Sequence, residues 1–231
     1  RDLHSFPTRR SSDLHASVEG LFDADKSFWS IDADFLNNVV YKWTDWHTDY
    51  LFHGLLDERI QIVRFPYSRF VVDAERLWDD PLEQCGQGIV YKSFGCYRRE
   101  IPVQAEQMLI GLWLWHQQRL KRALREDSLL LDCHSFPEEQ SDVDICIGFN
   151  EDWSKPSRQL IEFAVNYFMD KGYLVGINAP YSNSMAPDCG FVFHSIMLEV
   201  NKKTYLQSNS TLLRDNGLRD DIREFMTCLL D

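Results

Sequence analysis

The chain has 231 residues, 44% of them hydrophobic and 13% aromatic, enough to bury a substantial core as one large α/β domain. A formal charge of -12 argues against nucleic acid or an anionic membrane surface as the main partner, since both need a basic footprint. No apolar run approaches the roughly 20 residues of a membrane span, no secretory signal is expected, and the six cysteines lack a CxxC pair. They read as reduced, buried thiols of a cytoplasmic protein.

Residues 1–14 are basic, serine-rich and without period, and resemble translated adapter sequence more than a targeting peptide. They are set apart as non-native, with the domain proper expected over 15–231. From Asp32 or Asp34, either an N-cap, to about Leu56 the pattern is helical, with Leu36, Val39, Val40, Trp43, His47 and Tyr50 on one stripe. Gln61–Phe65 and Arg69–Asp73 read as strands separated by Pro66, and Ala74–Glu100 as a long surface excursion. A strong helix follows from about Pro102 to Glu126. Then come strands at Leu129–Phe136 and Asp144–Gly148, and a helix from Pro156 to Lys171 that stops at Gly172. Tyr173–Ile177 reads as a strand, Asn178–Ser184 as a loop, Phe191–Asn201 as a long strand, and about Arg214 to Leu230 as the closing helix. Strands alternating with helices imply an α/β sheet with helices on both faces, whose strand order is not derivable from the pattern.

Leu129-Leu130-Leu131-Asp132-Cys133-His134-Ser135-Phe136-Pro137 suits a strand covered on both faces and ended by its proline. That puts His134 at a carboxyl end, where open α/β sheets bind ligands, with Asp132 two residues earlier on the same face. A hydrolytic metal site needs deprotonated ligands and a carboxylate left over to handle a proton. His134 is the first candidate ligand, the alternative being a satisfied histidine at a strand end. In Ser195–Asn201, Ile196, Leu198 and Val200 point one way and Ser195, Met197, Glu199 and Asn201 the other, so Glu199 lies in a polar pocket or on a solvated face beside Lys202 and Lys203. Asp45 and Asp49 form an i, i+4 pair that reads as a solvated helix face or an acidic ligand pair. His47, two residues from each, cannot join both on one ion. Arg69 and Arg76 suit a substrate carboxylate, or an ion pair with Asp73.

Six segments in order resemble the N-formylglutamate amidohydrolase family, distant relatives of zinc carboxypeptidases and aspartoacylase-type deacylases. They are His15-Ala16-Ser17, Asp45–Phe52, Ser68–Arg76, Asp132-Cys133-His134-Ser135, the loop Asn178–Ser182, and Glu199–Tyr205. The resemblance implies a single-domain three-layer α/β/α fold, zinc carboxypeptidase-like and hydrolase- or phosphorylase-like, around a mostly parallel or mixed sheet. It implies a zinc-dependent amidohydrolase cleaving an N-formyl or N-acyl amino acid. His15, Asp49 and His134 would hold Zn2+, with Asp49 preferred over Asp45, and Glu199 would act as general base and then acid. Arg69, Arg76, Asn178 and Tyr181 would bind a small-molecule substrate carrying a carboxylate, and Asp132 and Asp45 would support the ligands from behind. Glu75 departs from the family pattern, which has Asn there; it places a negative charge beside Arg76 and leaves the acyl amino acid open. A zinc carboxypeptidase-like peptidase, a degenerate member that binds an acidic small molecule without cleaving it, and an interaction domain displaying Trp29, Trp78 and Trp153 are the alternative readings.

Overall fold

Local signals set most of the elements, and a computed structural model describes them over residues 33–52, 57 and 59–230; the expectations for residues 1–14, His15 and Trp29 fall outside these. The helices are α1 (Ala33–Phe35), which passes through a π turn (Leu36–Val40) into α2 (Tyr41–Trp43), then α3 (Thr48–Phe52), α4 (Val103–Ala123), α5 (Arg158–Asp170) and α6 (Leu218–Cys228). The strands are β1 (Ser93–Phe94), β2 (Tyr97–Arg98), β3 (Leu129–Phe136), β4 (Ile145–Gly148), β5 (Val175–Ile177) and β6 (His194–Asn201). No helix among the described residues is long and apolar enough to cross a membrane.

The chain folds as two units, one formed by the described part of Arg1–Thr44 with Arg64–His116, the other by Asp45–Val63 with Gln117–Asp231. In the first, Phe35, Phe70, Val72, Tyr91 and Trp113 are among the buried residues of an aromatic-rich core. The two strands expected at Gln61–Phe65 and Arg69–Asp73 are absent: both segments are irregular. Phe70 and Val72 are buried as a strand would have them, but Ser68 captures the backbone, its carbonyl accepting from Val71 and Val72 and its hydroxyl from Phe70. Local side-chain and turn hydrogen bonds have won over a ladder here. Nor is Ala74–Glu100 a purely surface excursion. Ile89, Val90 and Tyr91 are buried in that core, and β1 and β2 form a short antiparallel pair joined at Gly95 with φ 56°.

The long helix expected at Pro102–Glu126 is α4, but the helix expected across residues 34–56 breaks. Thr44 turns extended, its hydroxyl and its N–H both donating to the Val40 carbonyl, and His47 is left-handed at φ 56°. Thr48 Oγ1 then donates to the Asp45 carbonyl and the helix restarts as α3. Asp45 therefore lies in the break, and its i, i+4 relation to Asp49 on one helical face does not hold.

In the second unit the sheet order is β3-β6-β4-β5. β3 runs parallel to β6, β6 antiparallel to β4, and β4 parallel to β5, a mixed sheet. Among the described residues β3 is the end strand and Leu129–Leu131 are half-buried, so the three leucines do not mark a strand covered on both faces. The central strand is β6. Its Ile196, Leu198 and Val200, together with Ile145 and Ile147 of β4, pack on Leu51 of α3, Ala164 and Phe168 of α5, and Leu218, Ile222 and Phe225 of α6. α5 starts where Ser157 Oγ accepts from the Leu160 N–H and ends before Gly172, whose φ of 91° suits only glycine comfortably. The alternation read along Ser195–Asn201 is thus real: one face is a helix-covered core, and the opposite face carries Met197 and Glu199.

Candidate active site

That opposite face gathers the predicted chemistry of β3 and β6. In the parallel pair His134 is in register with Glu199, and Asp132 with Met197. Glu199 is partly exposed in a strand whose neighbours are buried, and on its other side it is paired with Cys146 of β4. The Cys146 thiol donates to the Tyr181 carbonyl at 3.2 Å; burial pushes its pKa up, and the nearby Glu199 charge adds to that effect. Phe136, Cys146 and Met197 form a small apolar floor with Val143 and Tyr181 against it. His134 and Glu199 therefore sit at a polar end of an otherwise apolar surface.

The His134 ring is held between two carboxylates. Nε2 lies 2.7 Å from Asp132 Oδ1, and Nδ1 lies 3.6 Å from Asp45 Oδ2. An ionised carboxylate only accepts, so the short contact calls for a proton on Nε2, and in the neutral ring the Nδ1 lone pair would then face Asp45. Two donors of one tetrahedral zinc ion with bonds near 2.0–2.1 Å lie about 3.4 Å apart, so this His and Asp fit as two members of such a ligand set. His15, the expected third, lies outside the described residues.

Asp45 is itself positioned by neighbours whose role sequence reading missed. Ser135 Oγ donates to Asp45 Oδ1 at 3.1 Å, and Tyr205 Oη donates to the carbonyl of Trp46 at 2.7 Å, fixing the break that carries Asp45. Burial raises the Tyr205 pKa far out of the physiological range, so the phenol stays a donor. Both residues stand inside the recognisable motifs, Asp132–Ser135 and Glu199–Tyr205, and that was the signal available. Asp49 instead accepts from the Tyr50 N–H through Oδ1 at 2.9 Å. The resemblance implied one acid of this segment as the third ligand, with Asp49 preferred over Asp45; of the two, the structure brings Asp45 to the histidine.

The loop after β5 lies on the same unit. Asn178, left-handed at φ 49°, accepts from the Phe149 N–H through Oδ1 at 2.8 Å and donates its own N–H to Ile147, so its side chain ties the loop to β4. Tyr181 packs edge-on against Phe136 at 5.7 Å, after a cis Ala179-Pro180 bond. Further along, Ser184 Oγ and the Met185 carbonyl are both engaged by Ser195 Oγ at 2.6 Å, and the Met185 N–H donates to Asp132 Oδ2 at 2.8 Å.

The predicted arginines lie in the other unit, and each has an acidic partner there. Arg69 Nη2 donates to Glu75, the residue that departs from the family pattern. Arg76 Nε donates to the Gln87 carbonyl at 3.2 Å and lies 3.4 Å from Asp73, with Nη1 3.8 Å from Asp80. Asp73 is 1% exposed and accepts from Tyr91 Oη and the Glu75 N–H. Burial, with Glu75 nearby, raises its pKa against the pull of Arg69 and Arg76.

Comparison with known proteins settles which family this is. The family model for N-formylglutamate amidohydrolase matches residues 23–206. The chain belongs to the N-formylglutamate amidohydrolase family. It is similar in fold to the crystal structure of N-formylglutamate amidohydrolase from Ralstonia eutropha JMP134, at TM-score 0.68 and 17% identity, covering 88% of this chain and 86% of that one. A gene product of Agrobacterium tumefaciens is similar at TM-score 0.56 and 14% identity, over 91% of this chain and 86% of that one. No curated protein matches the chain at a significant level. Family membership makes this an amidohydrolase-type enzyme and a small molecule its natural class of substrate.

Proposed function

We propose that the chain is a zinc-dependent hydrolase of N-formyl or N-acyl amino acids, with His134 Nδ1, Asp45 and His15 as the protein ligands. The observation that supports this best is the His134 ring itself, its Nε2 bonded to Asp132 and its Nδ1 turned to Asp45, in register with the carboxylate of Glu199. Zinc held by these donors would supply the positive charge that makes water nucleophilic at neutral pH and polarises the amide carbonyl. Glu199 takes up the proton of the attacking water and delivers it to the departing amine. Ser135 and Tyr205 keep Asp45 in place through its carboxylate and the adjoining carbonyl. Arg69 is engaged by Glu75, and Arg76 by Asp73, Asp80 and Gln87, so either arginine would have to exchange an existing partner to take a substrate carboxylate. The same reading takes α3, α5 and α6, which cover one face of the sheet, as one layer of a three-layer α/β/α, zinc carboxypeptidase-like fold.

The test is metal content combined with a panel of N-formyl and N-acetyl amino acids, followed by release of the free amine. About one zinc per chain is expected, with hydrolysis lost on chelation and restored by zinc. Hydrolysis that persists after the metal has been stripped would overturn the proposal.

A further inference from the structure

Asp132 is the one acid of β3 whose two oxygens serve different parts of the second unit. Oδ1 is 2.7 Å from His134 Nε2, and Oδ2 accepts the Met185 N–H at 2.8 Å. Met185 is also held through its carbonyl, which accepts from Ser195 Oγ at 2.6 Å, and its neighbour Ser184 accepts from and donates to Asn150 at 2.9 and 3.2 Å. The backbone of Met185 is thus held from two strands, its carbonyl by β6 and its N–H by β3. The β3 attachment is the carboxylate that also holds the histidine.

We propose that Asp132 is a positioning residue with two clients, fixing the proton of His134 on Nε2 and seating the 178–185 loop through Met185, so that ring tautomer and loop anchorage depend on one carboxylate. This deepens the hydrolase reading where His134 is concerned. The loop attachment stands without it.

The physical basis is acceptor count. A carboxylate presents two acceptor oxygens and can satisfy the ring N–H and the backbone N–H together; a carboxamide presents one oxygen and one NH2 group. In Asp132→Asn the oxygen can stay on Met185, in which case the NH2 faces Nε2 and forces the ring proton to Nδ1, closing the nitrogen that faces Asp45. Alternatively the oxygen can stay on Nε2–H, in which case NH2 faces N–H at Met185 and the loop loses its anchor. An isosteric change therefore has to surrender one client. A group that merely filled space would surrender neither.

The experiment uses 15N-labelled full-length chain, parent and Asp132→Asn, with three readouts: the His134 ring 15N shifts, which report the tautomer, the exchange rate of the Met185 amide, and zinc affinity by competition with a chelator. In the parent, His134 carries its proton on Nε2 and the Met185 amide is protected; a parent ring protonated on Nδ1 alone would overturn the proposal without any variant. In Asp132→Asn, either the ring switches to the Nδ1–H form with Met185 still protected, or Met185 exchanges at least about ten-fold faster with the tautomer kept. Loss of both supports the proposal where amides elsewhere in the sheet keep the parent's protection, whereas loss of both with general deprotection makes Asp132 a stability residue and overturns it. A variant that keeps both the Nε2–H tautomer and the protected amide would overturn it. Zinc affinity falling about 10- to 100-fold in the tautomer-switched form is the expected metal readout. A parent chain that binds no zinc, but whose tautomer and amide behave as stated, removes the hydrolase reading and leaves the two-client role of Asp132 standing.

Discussion

His134 and Glu199 face each other across the parallel pair β3–β6, in register and on the side of the sheet away from the helix-covered core. A carboxylate beside a candidate ligand, but on a different strand, can handle protons without being spent on the metal. Glu199→Gln keeps the shape and removes the basicity, so turnover is expected to fall at least about 100-fold, the usual size of a general base effect. Zinc content should be unchanged. Measuring both separates the roles: retained turnover means Glu199 is not the base, whereas zinc lost together with turnover makes it a ligand.

Asp45 and Asp49 make a second, cheaper comparison. Asp45 lies 3.6 Å from His134 Nδ1 and is held by Ser135, while Asp49 accepts from its own neighbour's backbone. Asp45→Asn is expected to weaken zinc binding by about ten-fold or more, and Asp49→Asn to leave it near the parent value. Chelator competition on the two variants decides it, and the opposite ranking would return Asp49 to the ligand set.

The second unit was far more legible in the sequence than the first, for a physical reason. β3, β4, β6, α5 and α6 announce themselves by runs, by strict alternation as in Ile196, Leu198 and Val200, and by punctuation at Pro137, Pro156 and Gly172. Those signals are local, and burial on one face enforces them. Segments Gln61–Phe65 and Arg69–Asp73 carry equally apolar residues, but Ser68 and buried Asp73 draw the backbone into turns, a contest that periodicity does not register. The helix break at Thr44–His47 is similarly decided by one hydroxyl bonding back to Val40 and one left-handed histidine. This break carries Asp45, and the turn that brings it to His134 is invisible to an i, i+4 reading of Asp45 and Asp49. Strand order, β3-β6-β4-β5, is a long-range property and left no trace in the pattern.

Gly148 closes β4 beneath the loop that carries Tyr181. A Cβ there would stand 2.4 Å from the Met197 tip and 2.7 Å from the Asn183 carbonyl; the first can swing away, but the second is backbone. Gly148→Ala is expected to cost about 1–3 kcal/mol through overpacking. It should also raise KM if the loop contributes to substrate binding. Urea midpoints at constant m value give the first quantity. An unchanged midpoint would mean that the loop adjusts freely and does not rest on β4 as tightly as the backbone approach indicates.

Asp73 sets a pH dependence in the first unit. Its carboxyl pKa is raised, mainly by burial and then by Glu75, in spite of Arg69 and Arg76. A raised folded-state pKa contributes stability that is fully present below the unfolded pKa and lost as pH rises through the folded value. Asp73→Asn is neutral at every pH and so lacks this loss, although it pays a pH-independent cost because one amide oxygen cannot replace both acceptors used by Tyr91 and Glu75. The Tm of the variant relative to the parent should therefore rise between about pH 4 and pH 7. Thermal unfolding across that range checks the sign. A difference that stays flat would show that burial and the arginines cancel, and one that falls would show that the ion pair with Arg76 outweighs burial and that Asp73 is a net stabilising anion.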